Sequence, residues 1–312
     1  VQQRLKQALP EIAYTTDNLP MVAQQVNQVS WSPTGAIELK AMPASAVAAS
    51  QAASTASASA TQSTPGFQST IDYAALKQSA NDNPSSVANK DALPSKQVFI
   101  KPDELLVFKT QALLNWHGHS VGALTGIMNK NTIKAMQIFQ QKHNLPVTTT
   151  MDEATWSALT SNETLNKQPI FINYQLTRDD LVITKAPKDM QYKSAREAVA
   201  EKFHMSQKLV SRLNPTTPLK AGNVITVYNP YQPNMTEVTK VISDKKKNIL
   251  YAYAASGELV ASYPTTVGSN YTPSPSGSLK VKNRVLNPTY NTDFSSKEKW
   301  LPPGPNNPVG RA

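Results

Sequence analysis

Residues 103–160 constrain this chain most, because they contain a helix too short to stand alone. Thr132, Ala135, Met136 and Phe139 fall at i, i+3, i+4 and i+7, an apolar stripe along one helical face. Asn129 and Asn131 precede the stripe as N-cap candidates. So short a helix is marginal in water and must bury its stripe against neighbours. The flanks supply them. Leu105, Phe108 and Ala112 share a face upstream, with Leu106 and Leu113 beside them, and Trp156 and Leu159 follow downstream. The pattern predicts a unit of three short helices.

Composition bounds the rest. At 312 residues the chain has room for about two or three small domains. Only 17% of residues are charged, 39% are hydrophobic and 23 are proline, a mixture that fits folded modules joined by long linkers. The formal charge of +10 favours an anionic partner: nucleic acid, a membrane surface, or the carboxylates of cell-wall peptides. Nucleic acid is set aside, because the sequence has no interleaved arginine and aromatic cluster, no zinc spacing and no recognition helix. No apolar run is long enough to cross a bilayer, so no integral membrane segment is expected. Cysteine is absent, which removes disulfides and thiol chemistry from these residues. The sequence opens on Val1 rather than Met, which permits export with a signal segment removed.

Residues 1–42 scatter Leu5, Leu9, Ile12, Tyr14, Val22, Val26 and Trp31 between Pro10, Pro20 and Pro33, with short helices predicted at 1–9 and 21–29. They name no activity. From Pro43 to Pro65 the chain is almost entirely Ala, Ser, Thr and Gln. Such a tract has no bulky side chains to bury and cannot offset its ordering entropy. Residues 43–100 therefore read as a low-complexity linker, with at most a transient helix near 73–79.

The wording of the helical stretch resembles a peptidoglycan-binding domain of the small three-helix type. It runs Thr125-Gly126, Met128, Thr132, Ala135-Met136, Phe139-Gln140, Leu145, Asp152, Thr155-Trp156 and Leu159. Thr125 stands where that family usually has Asp, and Asn129, Asn144 and Thr150 where it often has Gly. Asn tolerates left-handed backbone, so the turns stay feasible at the two asparagines. The resemblance implies a domain at 101–162 with Thr125, Gly126 and Asn129 as peptidoglycan contacts.

A second module follows. Phe171, Tyr174, Leu176, Leu181, Val182 and Ile183 predict one or two strands. Ser194 and Glu197 have capping-box spacing, and Ala198, Val199 and Phe203 share a helical face behind them. A second helix carries Leu209, Val210 and Leu213 and stops at Asn214-Pro215, and Leu219 to Val227 supply a turn and a strand. This β-α-α-β order resembles a LysM domain, matched at Glu197, Ala200, Phe203, Ser206, Leu209, Leu213-Asn214, Gly222, Ile225 and Val227. The opening Gly-Asp-Thr strand usual in that family is missing. The resemblance implies glycan binding by residues 168–230, with Asn214 among the contacts.

Beyond residue 238 the period changes to two. Val241, Ile249, Tyr251 and Tyr253 alternate, Ser256-Gly257 turns the chain into Leu259, Val260 and Tyr263, and 266–268 and 279–281 are expected to continue the sheet. Residues 287–290 and 301–310 read as loops. Leu250-Tyr251, Tyr263-Pro264, Val267-Gly268, Thr272-Pro273, Pro275-Ser276-Gly277, Lys280-Val281 and Asn287-Pro288-Thr289 together resemble the first half of an L,D-transpeptidase (YkuD-like) catalytic domain. In that family a Ser-His-Gly-Cys segment follows and its cysteine is the nucleophile, activated by a histidine. The sequence stops at Arg311-Ala312, before that segment. The expectation is a chain truncated before its nucleophile and inactive as given. A half sheet of this kind is expected to expose unpaired edges and an apolar face.

No replacement catalytic residue stands out. His117 and His119, beside Trp116, are two apart without a third ligand nearby and read as loop histidines. His143 ends a helix, where a cation suits the dipole, and His204 lies between two helices on the surface. Asp152-Glu153 reads as a helix N-terminus rather than a glycosidase pair. Trp116, Tyr228 and Tyr231 are candidate sugar platforms, with Trp116 equally a core residue.

The expected fold class is multidomain α+β. A segment at 1–42 without an assigned role and a linker at 43–100 precede the three-helix peptidoglycan-binding domain at 101–162. The LysM-like βααβ module at 168–230 and the N-terminal half of a mostly-β L,D-transpeptidase domain at 235–312 follow. The expected peptidoglycan contacts are Trp116, Thr125, Gly126, Asn129, Asn214 and Tyr228, with no catalytic residue, metal or cofactor. The expected partner is peptidoglycan, both glycan strands and stem peptides. The expected location is the periplasm or cell envelope.

Overall fold

The computed structural model describes residues 14–33, 38–39, 102–184, 190–232, 234–291 and 300–309. Helix and sheet are mixed, with seven helices and several small antiparallel sheets among these residues. The expected helix at 1–9 and the linker at 43–100, with its transient helix, lie outside them.

Four helices build the first part: α1 (Met21–Gln28), α2 (Pro102–Trp116), α3 (Lys130–Lys142) and α4 (Glu153–Thr160). The stripe read from sequence is buried on α3 at Thr132, Ala135, Met136 and Phe139. Asn129 caps α3 by accepting the Thr132 N–H, and Asp152 caps α4 by accepting the Thr155 N–H. A single turn, α5 (Glu163–Asn166), follows.

Helix α2 is apolar on two faces. Leu113 and Leu114, with Leu106 beside them, pack into a core with Met136, Phe139, Trp156 and Leu159. Leu105, Phe108 and Ala112 face the other way, into a second core with Ala23, Val26, Phe171, Phe203 and Val227. One helix therefore serves two interiors.

That second core belongs to a β-α-α-β arrangement. β3 (Phe171–Gln175) pairs antiparallel with β4 (Val224–Tyr228), and α6 (Ala195–Lys202) and α7 (Gln207–Leu213) lie between them in sequence. Ser194 caps α6, and the Glu197 carboxylate reaches back to the Lys193 N–H. The strand character expected at 181–183 gives way to a 3-10 turn, Asp179–Leu181, and Ile183 makes only an isolated bridge to Tyr192. Asp180 explains the turn. Its carboxylate accepts from the Thr177 N–H and hydroxyl and from the Tyr174 hydroxyl, and it pairs with Lys202 on α6.

Residues 14–30 acquire a structural role that their sequence does not announce. Thr15 and Asn173 exchange backbone hydrogen bonds at 3.1 and 2.8 Å. Asn27 accepts from the Ile170 and Phe171 N–H groups at 2.7 and 3.0 Å, so the start of β3 is held from α1. β1 (Val29–Ser30) then pairs with β2 (Glu38–Leu39).

The C-terminal strands β5 (Lys240–Asp244), β6 (Ile249–Tyr253) and β7 (Leu259–Pro264) form an antiparallel meander. The sheet does not continue through 266–268 or 279–281 as the alternation predicts. Leu279 is 78% and Val281 93% exposed. The chain after β7 turns back on itself instead: Gly268 donates to the Ser274 hydroxyl at 2.8 Å, and Pro273 and Pro275 offer no ladder donors. The edge of β7 is occupied by residues 118–120. Ser262 donates to the Gly118 carbonyl at 2.9 Å, and Ser120 donates to the Ser262 carbonyl at 2.8 Å. The expected open edge is thus present on β5, where Val241 and Ile242 are exposed, and absent on β7. β8 (Tyr290–Asn291) and β9 (Trp300–Leu301) make a short ladder between otherwise irregular segments. Buried Asn307 fastens those segments by donating to the Pro288 and Pro302 carbonyls.

Candidate functional site

The connection between α2 and α3 is built around one buried amide. Gln111, fully buried on α2, accepts from the Thr125 and Gly126 N–H groups at 3.1 and 3.0 Å. Its amide nitrogen donates to the Ile127 carbonyl at 3.0 Å and the Thr132 hydroxyl at 2.9 Å, with Thr125 Oγ1 at 3.3 Å. A buried amide needs such partners, and here the partners are a loop. Thr125, Gly126 and Asn129 are thereby brought together, while Ile127 between them stays 61% exposed. Gly126 has φ 73°, and a Cβ there would collide with the Phe108 ring. The far side of the same loop is tied to the turn between α6 and α7. Leu124 donates to the His204 carbonyl at 2.7 Å, and Ser206 donates to the Leu124 carbonyl at 3.0 Å.

The device recurs one helix later. Gln140 on α3 is fully buried, accepts from the Thr148 N–H at 2.9 Å and donates to the Thr148 and Thr155 hydroxyls at 2.7 and 2.9 Å. Each glutamine pins the following loop and then the threonine three residues after an Asn or Asp cap: Asn129 with Thr132, Asp152 with Thr155. Burial opposes ionisation of Asp152, but hydrogen bonds from Thr155 and Thr148 outweigh it and hold the carboxyl below its usual pKa. Sequence reasoning does not find Gln111; the recurring order of a helical Gln followed by an Asn or Asp cap with Thr three residues on is the signal that could.

Trp116 and Tyr228 are brought together as a stacked pair, ring centroids 6.2 Å apart and planes 12° apart, with Tyr231 tilted at 6.0 Å. The Trp116 indole donates to the Asn229 carbonyl at 3.1 Å. Tyr228 is fully buried, and its hydroxyl lies near the Asn115 and Trp116 side chains without a hydrogen bond of normal geometry. Burial pushes its phenol pKa up. Tyr228 thus underlies Trp116 and offers no open face of its own, whereas Trp116 and Tyr231 are half-buried.

Asn214 lies apart from both groups. It bonds the Val210 and Thr226 carbonyls at 3.0 and 2.8 Å and accepts from the Thr226 N–H at 2.7 Å, which docks the end of α7 on β4. It also lines an open groove of about 480 Å³ between the start of α6 and the chain after α7. Ser194, Ser211 and Thr217 supply hydroxyls there, Pro215, Pro218 and Leu219 apolar surface, and Arg196 the only charge. Arg196 has no ion-pair partner among the described residues.

Three of the histidines, His117, His119 and His143, gather around Phe139, while the His204 carbonyl helps hold the candidate loop. His119 is fully buried with Nδ1 3.0 Å from the Ser262 hydroxyl, so it is a packed junction residue rather than a simple loop histidine. His117 reaches the Leu159 carbonyl at 2.9 Å. His143 stands at the C-cap of α3 but is not favoured as a cation: burial, then neighbouring Lys142, lower its pKa, and its ring lies 4.2 Å from that of Phe139. Among the described residues no group of three or more His, Cys, Asp or Glu side chains could hold a metal. No helix among them is long and apolar enough to cross a membrane.

No curated protein matches the chain. Residues 106–159, which hold α2 to α4 and both glutamine-pinned loops, match the family model of the putative peptidoglycan binding domain. The chain is therefore similar to that family over 106–159, a likeness that points to peptidoglycan as a partner and to the cell envelope.

Proposed function

We propose that this chain grips peptidoglycan at two places, as the wall-holding part of an L,D-transpeptidase-type protein of the periplasm or cell envelope. The observation that carries the reading is the family match at 106–159 over a loop held rigid by Gln111. A preorganised loop loses little freedom on binding. Thr125, Gly126 and Asn129 form the proposed contact loop there, with Trp116, resting on Tyr228, as a separate proposed ring contact. The β-α-α-β arrangement at 168–230 is the proposed LysM-like module, and the groove beside Asn214 is its proposed glycan seat. Hydroxyls and apolar prolines around an open channel suit a sugar chain, which presents both.

The L,D-transpeptidase part of the proposal rests on the sequence words at 241–310. In the complete family member, acyl transfer between stem peptides passes through a cysteine thioester. These 312 residues contain no cysteine, which favours a second reading in which they act as a non-catalytic wall-binding or tethering protein.

Pelleting the intact chain with purified sacculi tests the binding. Retention in the pellet is expected, and Ile127→Asp in the exposed loop and Arg196→Glu in the groove are each expected to lower it several-fold. A chain that stays wholly in the supernatant with sacculi in excess would sink both readings. If only Ile127→Asp matters, the second seat is wrong. Release of a stem-peptide acyl product by the unextended chain would refute the non-catalytic reading.

A further inference from the structure

The sheet β5–β7 is joined to the helical domain through a patch crowded with imidazoles. His119 is fully buried at that junction; its Nδ1 meets the Ser262 hydroxyl at 3.0 Å, and its Nε2 is buried without a hydrogen-bond partner. The residues on either side of it carry the two backbone bonds to Ser262. Gly118 is pressed so close that a Cβ would lie 2.6 Å from the Val260 carbonyl, so the approach is tight. Phe139 lies under three rings, with His117, His119 and His143 centroids at 5.2, 6.1 and 4.2 Å. His117 and His143 are 6.5 Å apart.

The charged and titratable neighbours that act on His119 all disfavour its cation. Lys142 and the other two histidines act on it from the helical side. Across the junction Glu258 answers Lys142 at 3.3 Å, and Lys134 donates to the Lys247 carbonyl at 2.6 Å while Lys247 itself sits 4.0 Å from Asp244. Glu258 is largely exposed and already paired.

We propose that this junction is a proton-operated clasp: neutral His119, supported by His117 and His143, holds the edge of β7 on residues 118–120, and acid releases it. Protonated His119 donates from both ring nitrogens, and its Nε2 donor has no acceptor and cannot reach water while the sheet is docked. Undocking hydrates it. The sign follows from the binding of that proton. Burial, then Lys142, His117 and His143, push the docked His119 down to about 3, against 6.5 for a free imidazole. The undocked form therefore holds more protons between these values, so docking is complete above 6.5 and weakens as pH falls. His117 and His143 are also lowered chiefly by burial.

Amide hydrogen exchange on the intact chain, corrected for intrinsic rates, reads the clasp directly. Ser120 and Ser262 carry the junction bonds, and Phe139 and Val210 report the helical interiors. Over two pH units below the free-imidazole value, protection at Ser120 and Ser262 is expected to fall by up to ~100-fold, with Phe139 and Val210 far less affected. His119→Gln keeps a polar group beside Ser262 and cannot titrate, so its slope should be shallower by up to ~10-fold per pH unit. Unchanged protection at Ser262, equal loss at Phe139, or an unaltered slope in His119→Gln would each overturn the proposal. Should the variant not fold, an imidazole titration in the unaltered chain decides. A His119 ring that titrates near 6.5 while Ser262 stays protected is equally fatal.

Discussion

At the scale of single residues, the structure is fastened by buried amides and by closely packed glycines. Gly126 combines a left-handed backbone with an approach to Phe108 that leaves no room for a methyl group. Gly126→Ala is expected to cost about 2 to 4 kcal/mol, the sum of backbone strain and overpacking, read as a lower urea midpoint at unchanged slope. A loss under about 0.5 kcal/mol would show that the loop shifts freely. The caps at this scale were legible because they are local: Asn129, Asp152 and Ser194 each bond the N–H three residues ahead. Gln111 was not legible in the same way. Its partners lie 14 to 21 residues on, and nothing nearby marks an amide inside an apolar helix as a hub.

At the scale of elements, the stripe on α3 came through because its apolar positions lie on one face, as helical periodicity requires. Helix α2 shows why the rest did not. Apolar residues on two faces blur the period, and the sequence could not say that Phe108 and Leu113 belong to different interiors. Phe108 meets Phe171 edge-on at 5.5 Å and underlies Gly126. Phe108→Ala is expected to cost ~3 to 5 kcal/mol and to raise amide exchange both in the 124–129 loop and along β3. Exchange confined to one of these would mean that the ring is not shared. The alternation at 279–281 misled for the opposite reason. A period of two states which way side chains would point, but only a neighbouring strand makes a sheet, and residues 118–120 already occupy the edge of β7.

At the scale of the whole molecule, contacts distant in sequence decide the outcome. Residues 14–30 looked idle, yet Thr15 bonds Asn173, and the buried Lys109 ammonium donates to the Val29 carbonyl at 2.9 Å. Arg212 on α7 grips Glu104 on α2 with two contacts, the nearer at 2.9 Å. Such cross-bracing predicts that the two helical cores unfold together. Fluorine-labelled phenylalanines at Phe139 and Phe203, one in each core, should give coincident urea transitions. Separate midpoints would show that the cores are independent.

The double-sided α2 also limits how such a chain can be rearranged. A part grafted in from another protein on either side would have to match a wall that its own partners never shaped. Halves with a common wall do not trade as cassettes; they are inherited, or rebuilt, as a pair.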